Sequence, residues 1–298
     1  MSEQAADARA AGERAEATAS GAAHGYTARG TLPLRVEALR QLRRSRTWIV
    51  FAIVAALPWV LIVAFQIGGN GDDNGRTSLF DLATAGGLNF AAMALFASTG
   101  FLLVVAIALF CGDTVAGEAS WSSLRYLLAA PVPRGRLLRQ KLIVALAYGV
   151  VTAVGLIAMA WVAGGLVYGW GGLRLLTGGE LPVATGLARL AIALAYVLVS
   201  LLVVASLATL LTVWTDSPLG AVGGAVGLVI VSNILNQVTA LGDWRQVLPT
   251  YWSYAWLDLL QPAIEWRGVV QGASVSVSYA VILFALAFRH FRSKDVTS

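Results

Sequence analysis

Chemistry in a chain of this kind needs a nucleophile with its base, a metal cage or an ionisable relay. Few residues here could supply any of these. Ser98, in Ala97-Ser98-Thr99-Gly100, puts a hydroxyl inside an apolar stretch. A serine nucleophile needs a neighbouring base, and no His or Lys lies well inside an apolar stretch to serve it. The two histidines, His24 and His290, stand near opposite ends of the chain, which leaves no paired imidazoles for haem and no His-Glu-x-x-His zinc site. Cys111 is the single cysteine, so an intramolecular disulfide and a cysteine-rich metal centre are excluded. No Gly-x-x-x-x-Gly-Lys-Ser/Thr phosphate loop occurs. Asp81, Asp113, Asp216 and Arg189 fall at the edges of apolar stretches rather than in their middles, against the pattern of a proton relay.

One polar segment is more informative. Between Gly112 and Lys141, Trp121, Leu124, Leu127 and Leu128 fall on one face of a short amphipathic helix at about 118–129, with Glu118 and Arg125 beside them. Pro131 and Pro133 stop this helix, and Arg134, Arg136 and Arg139 follow. Such a helix can receive a push from a soluble partner, or it can lie on the bilayer with Trp121 as an interfacial anchor. Further on, Gly223 and Gly227 form a Gly-x-x-x-Gly pair, and Asn233, Asn236 and Gln237 follow on roughly one face. Small residues let helix backbones approach closely, and amides bond across helices. Two readings stay open for that helix: a pathway or dimer-interface helix, or ordinary packing within one subunit. The segment 239–268 gathers Trp244, Tyr251, Trp252, Tyr254, Trp256 and Trp266 between Pro249 and Pro262. It is too short and interrupted to span, and it reads as short re-entrant or interfacial helices, with an aromatic belt as the plain alternative for any single Trp.

The elements that must position these residues are membrane spans. Of 298 residues, 58% are hydrophobic and 12% charged, and the mean hydropathy is +0.73. Soluble domains carry roughly 25% charge, so this is an integral membrane protein. A span needs about 20 apolar residues, and six stretches qualify, at about 47–67, 88–111, 141–169, 184–213, 219–238 and 269–290. The third and fourth are long enough to tilt or project. The fourth and fifth are joined by a tight turn ending at Pro218. Residues 1–30 read as a disordered tail without the apolar core of a secretory signal, and 293–298 as a short C-terminal tail. Between the tail and the first span, Leu32, Val36, Leu39 and Leu42 recur at helical spacing among five arginines, as in a helix lying in the headgroup plane, with Trp48 as anchor.

Eight arginines precede the first span, five basic residues occupy the loop between the second and third, and three lie near the C-terminus. The other side keeps Arg76, Arg174, Arg189, Arg245 and Arg267. Basic excess marks the cytoplasmic side, so both termini are expected inside. The net charge of +5 then belongs to loops near anionic lipid and not to nucleic acid. Only two lysines against many arginines, with abundant Ala and Gly, fit a GC-rich bacterium.

The wording Gly112-Asp113, Val115-Ala116-Gly117-Glu118, Trp121, Ser123-Leu124-Arg125-Tyr126-Leu127-Leu128, Pro131-Val132, Arg134, Leu137-Leu138 and Lys141 resembles the corresponding loop of ABC-2 class transporter permeases. These are six-span subunits of bacterial ATP-binding-cassette exporters whose ATPase is a separate polypeptide. The similarity takes in Arg40–Trp48 and Leu248–Leu260, and span order fits from about 32 to 292. The resemblance implies an all-α six-span domain over about 31–292 in the bacterial cytoplasmic membrane. It implies two permeases, as a homodimer or with a homologous permease, and two cytoplasmic ATPase subunits, with ATP and Mg bound by the ATPase and no cofactor in this chain. The 113–130 segment would be the coupling helix, touching the ATPase through Glu118, Trp121, Leu124, Arg125 and Leu128. The second and fifth spans would line the path, with Asn233 and Asn236 near it, and 244–266 would form an outer gate with Trp252 and Trp256. The spans lack a charged pocket, which favours an amphipathic or lipophilic cargo such as a drug, antibiotic or lipid-like molecule. The competing expectations are a non-transporting sensor or assembly subunit on the same scaffold and, weakened by the missing bases, a membrane-embedded enzyme.

Overall fold

The computed structural model describes residues 34–68, 79–116, 134–175, 178–215 and 217–293. Both tails, the acidic turn 70–75, Asp216 and the expected coupling helix, with Glu118, Trp121, Leu124, Arg125 and Leu128, lie outside the described residues. The described chain is mostly helical, in the order α1 (Leu34–Leu42), α2 (Ser45–Gly68), α3 (Leu79–Ala83), α4 (Gly87–Thr99), α5 (Leu102–Gly112) and α6 (Arg134–Tyr168). A two-stranded hairpin follows, β1 (Leu173–Arg174) and β2 (Glu180–Leu181), then α7 (Val183–Ser200), α8 (Leu202–Thr215) and α9 (Pro218–Gln237). Two 3-10 segments, Thr239–Val247 and Ala255–Leu260, lead to α10 (Trp266–Ser293). Five spans are long and apolar enough to cross a membrane: α2, α6, α7 with α8, α9 and α10. The pair α4 and α5 makes a sixth if it is taken as one bent span. The protein is a multi-pass membrane protein.

The spans stack around α8, which packs against α5, α9 and α10. Its hydroxyls are buried there without penalty, because each finds a backbone partner. Ser206 donates to the Val203 carbonyl at 2.8 Å and Thr209 to the Ala205 carbonyl at 2.7 Å, while Thr212 Oγ1 accepts the Ala116 N–H at 2.9 Å. Apolar surroundings offer no water to satisfy a lone hydroxyl, so such bonds are obligatory.

The expected second span, 88–111, is not one straight helix. It bends by 57° between α4 and α5. Ser98 and Thr99 turn their hydroxyls back to the carbonyls of Ala94 and Leu95 at 2.6 and 2.7 Å, a pattern that bends helices. At the break the Tyr254 hydroxyl lies 2.6 Å from where a Cβ on Gly100 would sit, so the break and the segment after α9 interlock.

Within the single chain the close helix crossing is not at the Gly-x-x-x-Gly pair, as the dimer-interface reading of that helix allows. A Cβ on Gly223 or Gly227 would meet nothing within 4 Å. Helix α9 instead buries Ala221, Ala225, Val229 and Ser232 against the bundle and turns the glycine face outward. The close crossing is α4 on α6: a Cβ on Gly87 would lie 2.8 Å from the Gly165 nitrogen and 2.9 Å from the Trp161 carbonyl oxygen, and one on Gly164 would strike Phe90. Helix α6 also starts at Arg134, earlier than the expected span, because helix geometry runs on through the basic turn and buries Leu137 and Leu138.

Gly87→Val therefore forces two backbones apart and lowers the melting temperature sharply, on the scale of overpacking, about 1–3 kcal/mol or more. Gly223→Val leaves the thermal unfolding of the single chain within about 0.5 kcal/mol, as for a surface change. Both are read by thermal unfolding in one detergent.

Candidate functional site

At the arginine-rich end the short helix α1 lies across the feet of the bundle. Its apolar Val36 and Leu39 stay 56% and 53% exposed, and none of its residues is buried. The side it turns to the protein is polar. Glu37 Oε1 accepts from Lys141 Nζ at 2.9 Å, and the Ala38 carbonyl accepts from the Tyr148 hydroxyl at 2.8 Å. Both partners belong to α6. Glu37 also faces Arg40 one turn along, at 3.9 Å. Lys141 is 3% exposed, so its ammonium is held in place by charge and not by water.

The link from α1 to α2 makes a second clamp. Asp113, just past α5, accepts from Arg44 and, at 2.8 Å, from Arg46. Thr47 donates to the Gln41 carbonyl at 2.7 Å and fixes the bend between α1 and α2. Past Asp113 the chain is pinned again. Thr114 donates to the Cys111 carbonyl, and Val115 joins Leu137, Leu138, Val213 and Phe291 in a small buried apolar cluster. Asp113 and Lys141, on either side of residues 117–133, are therefore each tied by ion pairs to the stretch Glu37–Arg46. Sequence spacing marks α1 as an interfacial helix, but nothing in it pairs Glu37 with Lys141 or Asp113 with two arginines about 70 residues away. Only their like placement at span edges hinted at it.

The other expected site residues are scattered. Asn233 and Asn236 are half-buried on α9, Asn236 one turn beyond Ser232 on the buried face, and the backbone carbonyl of Asn236 receives Arg245 at 3.5 Å. Trp252 is half-buried and donates its indole N–H to the Gln246 carbonyl at 3.0 Å. Trp256 departs from the interfacial-belt expectation, being 0% exposed inside the core with Leu259. Ser98 has its backbone bond and no base, and no cluster of His, Cys, Asp and Glu fit for a metal exists among the described residues.

The far end holds features that spacing does not reveal. Asn89, at 4% exposure, donates to and accepts from the Arg174 backbone at 2.8 and 2.9 Å, docking the hairpin on the first turn of α4. Gly178 and Gly179, at φ of +90° and +95°, close the hairpin. Arg189 of α7 donates to the carbonyls of Leu259 and Gln261, capping the second 3-10 segment. Asp258 sits against the first turn of α10, its Oδ2 3.0 Å from where a Cβ on Gly268 would be. Burial, with Glu265 adding to it, raises the Asp258 carboxyl above its ordinary value.

Helical and apolar, the chain is by fold a multi-pass membrane protein. Residues 50–297 match the family described as Protein of unknown function (DUF2705), and the chain belongs to that family. No curated protein matches it.

Two outcomes follow from these contacts. Asp113→Asn removes the charge that holds two guanidiniums and costs about 1.5–3 kcal/mol, the range for a charge-assisted hydrogen bond. Arg46→Gln, which loses a pair whose arginine is 61% exposed, costs at most about 1 kcal/mol. Thermal melts of both variants check this order. Because the folded state holds the Asp258 proton more tightly than the unfolded chain, this residue adds stability below the ordinary carboxylate value of 3.8. That stability is lost as pH rises through the raised value. Asp258→Asn flattens this part of the profile, as melting temperatures from about pH 4 to pH 7 would record.

Proposed function

We propose that the chain is the membrane-spanning permease subunit of an ATP-binding-cassette exporter of the ABC-2 class, moving an amphipathic or lipophilic substrate out of the cell. In this reading α4 and α5 form one bent span, six spans cross the bacterial cytoplasmic membrane, and both termini are cytoplasmic. ATP and Mg belong to a separate ATPase bound in two copies, and a second permease completes the path. The chain itself has no catalytic role.

The observation that supports this most is the double clamp. The 117–133 loop carries the wording that resembles a coupling helix, and both its feet are tied to one strap, Asp113 through Arg44 and Arg46 and Lys141 through Glu37. A force that reaches Asp113 and Lys141 is shared with the strap. It passes into α5, α6 and the strap together, and through the Val115–Leu137–Val213–Phe291 cluster into α8 and α10. Such anchorage at Asp113 and Lys141 suits a lever driven by a soluble motor. The outward glycine face of α9 is where a second copy would lie, and the path would run near Asn233 and Asn236. The aromatic segment with Trp252 and Trp256 would be the outer gate.

Purification of the tagged chain from its native membranes in mild detergent tests the reading. A P-loop ATPase of about 25–35 kDa, the usual single-domain size, is expected at roughly equal amount. Glu118→Arg is expected to abolish that association while leaving expression and insertion unchanged, and Trp121→Ala to lower ATP turnover in the complex. A chain that elutes alone removes the exporter reading. A complex that turns over ATP but moves nothing across vesicles makes the chain a force-transmitting subunit.

A further inference from the structure

The end of the bundle opposite the clamp carries a cavity that coupling leaves unused. It measures about 490 Å3 and lies between α4, the β1–β2 hairpin and the 3-10 segment Ala255–Leu260. Ala92, Met93, Phe96, Leu173 and Trp256 make its wall mainly apolar. Small-molecule sites typically occupy about 300–1,000 Å3, with apolar walls and a few placed polar groups. Several polar side chains nearby are already engaged. Asn89 spends both ends of its amide on the Arg174 backbone, Arg174 leans to Glu180 at 4.0 Å, and Arg189 is held by two carbonyls.

Asp258 and Gln261 remain at the mouth. The same two residues line an adjoining open cleft of about 350 Å3 together with Glu265. Chamber and cleft therefore meet at a carboxylate. Among the described residues neither Asp258 nor Glu265 has a hydrogen-bond or ion-pair partner. The indole nitrogen of Trp256, on a side chain 0% exposed, also has no acceptor there. The site thus combines an apolar chamber, lined in part by Phe96 and Trp256, with two carboxylates at its mouth that hold no ion pair, while Arg174 in the wall leans to Glu180. An anionic amphiphile would be repelled there, and a neutral one would leave the carboxylates without a counter-charge. A cation with an apolar body satisfies the carboxylates and fills the apolar chamber behind them.

We propose that this chamber binds a lipophilic cation, its apolar body among Met93, Phe96 and Trp256 and its positive charge at Asp258 and Glu265. The assignment goes beyond the exporter reading and stands without it, since binding needs no ATPase.

The test uses the full chain in lipid nanodiscs without partners. The probes are radiolabelled tetraphenylphosphonium and, as an anion of nearly the same shape, tetraphenylborate. Saturable binding of the phosphonium at one site per chain is expected, with no saturable binding of the borate. Asp258→Asn should weaken the phosphonium by about tenfold, equivalent to roughly 1.4 kcal/mol, and Glu265→Gln by a smaller factor. Met93→Trp, which fills the chamber, should abolish binding while the melting temperature is kept. If Met93→Trp does not fold, the two charge variants decide. The proposal is overturned by absence of saturable phosphonium binding, by equal binding of the borate, or by phosphonium affinity unchanged in both charge variants. An ATPase that co-purifies with a chain unable to bind phosphonium would sink this site and leave the exporter reading intact.

Discussion

Two helix backbones can touch only where nothing stands between them, and in this protein that happens where α4 crosses α6 at Gly87, Gly164 and Gly165. With lipid tails as apolar as the side chains, burial alone does not drive helices together, so packing of this kind has to do so. Much of the far end rests on the crossing. It sets the first turn of α4 beside the end of α6, where Gly87 donates to the Gly169 carbonyl at 3.0 Å. It thereby places Asn89 to grip the hairpin that follows. The apolar chamber exists because this grip holds the hairpin away from the 3-10 segment Ala255–Leu260.

The two ends of the bundle solve different problems. At the arginine-rich end, charge fixes geometry: the strap Glu37–Arg46 is held to the feet of one loop by carboxylates whose side chains are 15% and 13% exposed. Ion pairs at that depth are directional and weakly screened, so they position more than they stabilise. At the far end, backbone hydrogen bonds and aromatic packing do the positioning, as when Tyr196 donates to the Trp252 carbonyl at 2.6 Å and Tyr254 fills the space left by Gly100. Between them α8 carries hydroxyls that bond to backbone rather than serve chemistry.

Much of the architecture is legible in the residue order. Hydropathy and length place the spans within a few residues, because an apolar helix of that length has no other stable home than a bilayer. Helical spacing of Leu and Arg places α1, and Pro218 marks the start of α9. What depends on one residue meeting another far along the chain is not legible. The break at Gly100 needs Tyr254, the outward turn of Gly223 and Gly227 needs the burial of Ala221 and Ala225 on the opposite face, and the depth of Trp256 needs the helices around it.

The sequence by itself thus determined that this is a multi-pass helical membrane protein with a basic side and an amphipathic polar loop, since composition, period and charge are local properties. Tertiary structure alone decided which small residues let helices touch, which carboxylates clamp the strap, and that Asp258 stands at the mouth of an apolar chamber. Those are matters of distance between residues from 67 to more than 150 positions apart. No spacing rule reaches that far, because the helices between them can be arranged in several ways that bury the same apolar surface.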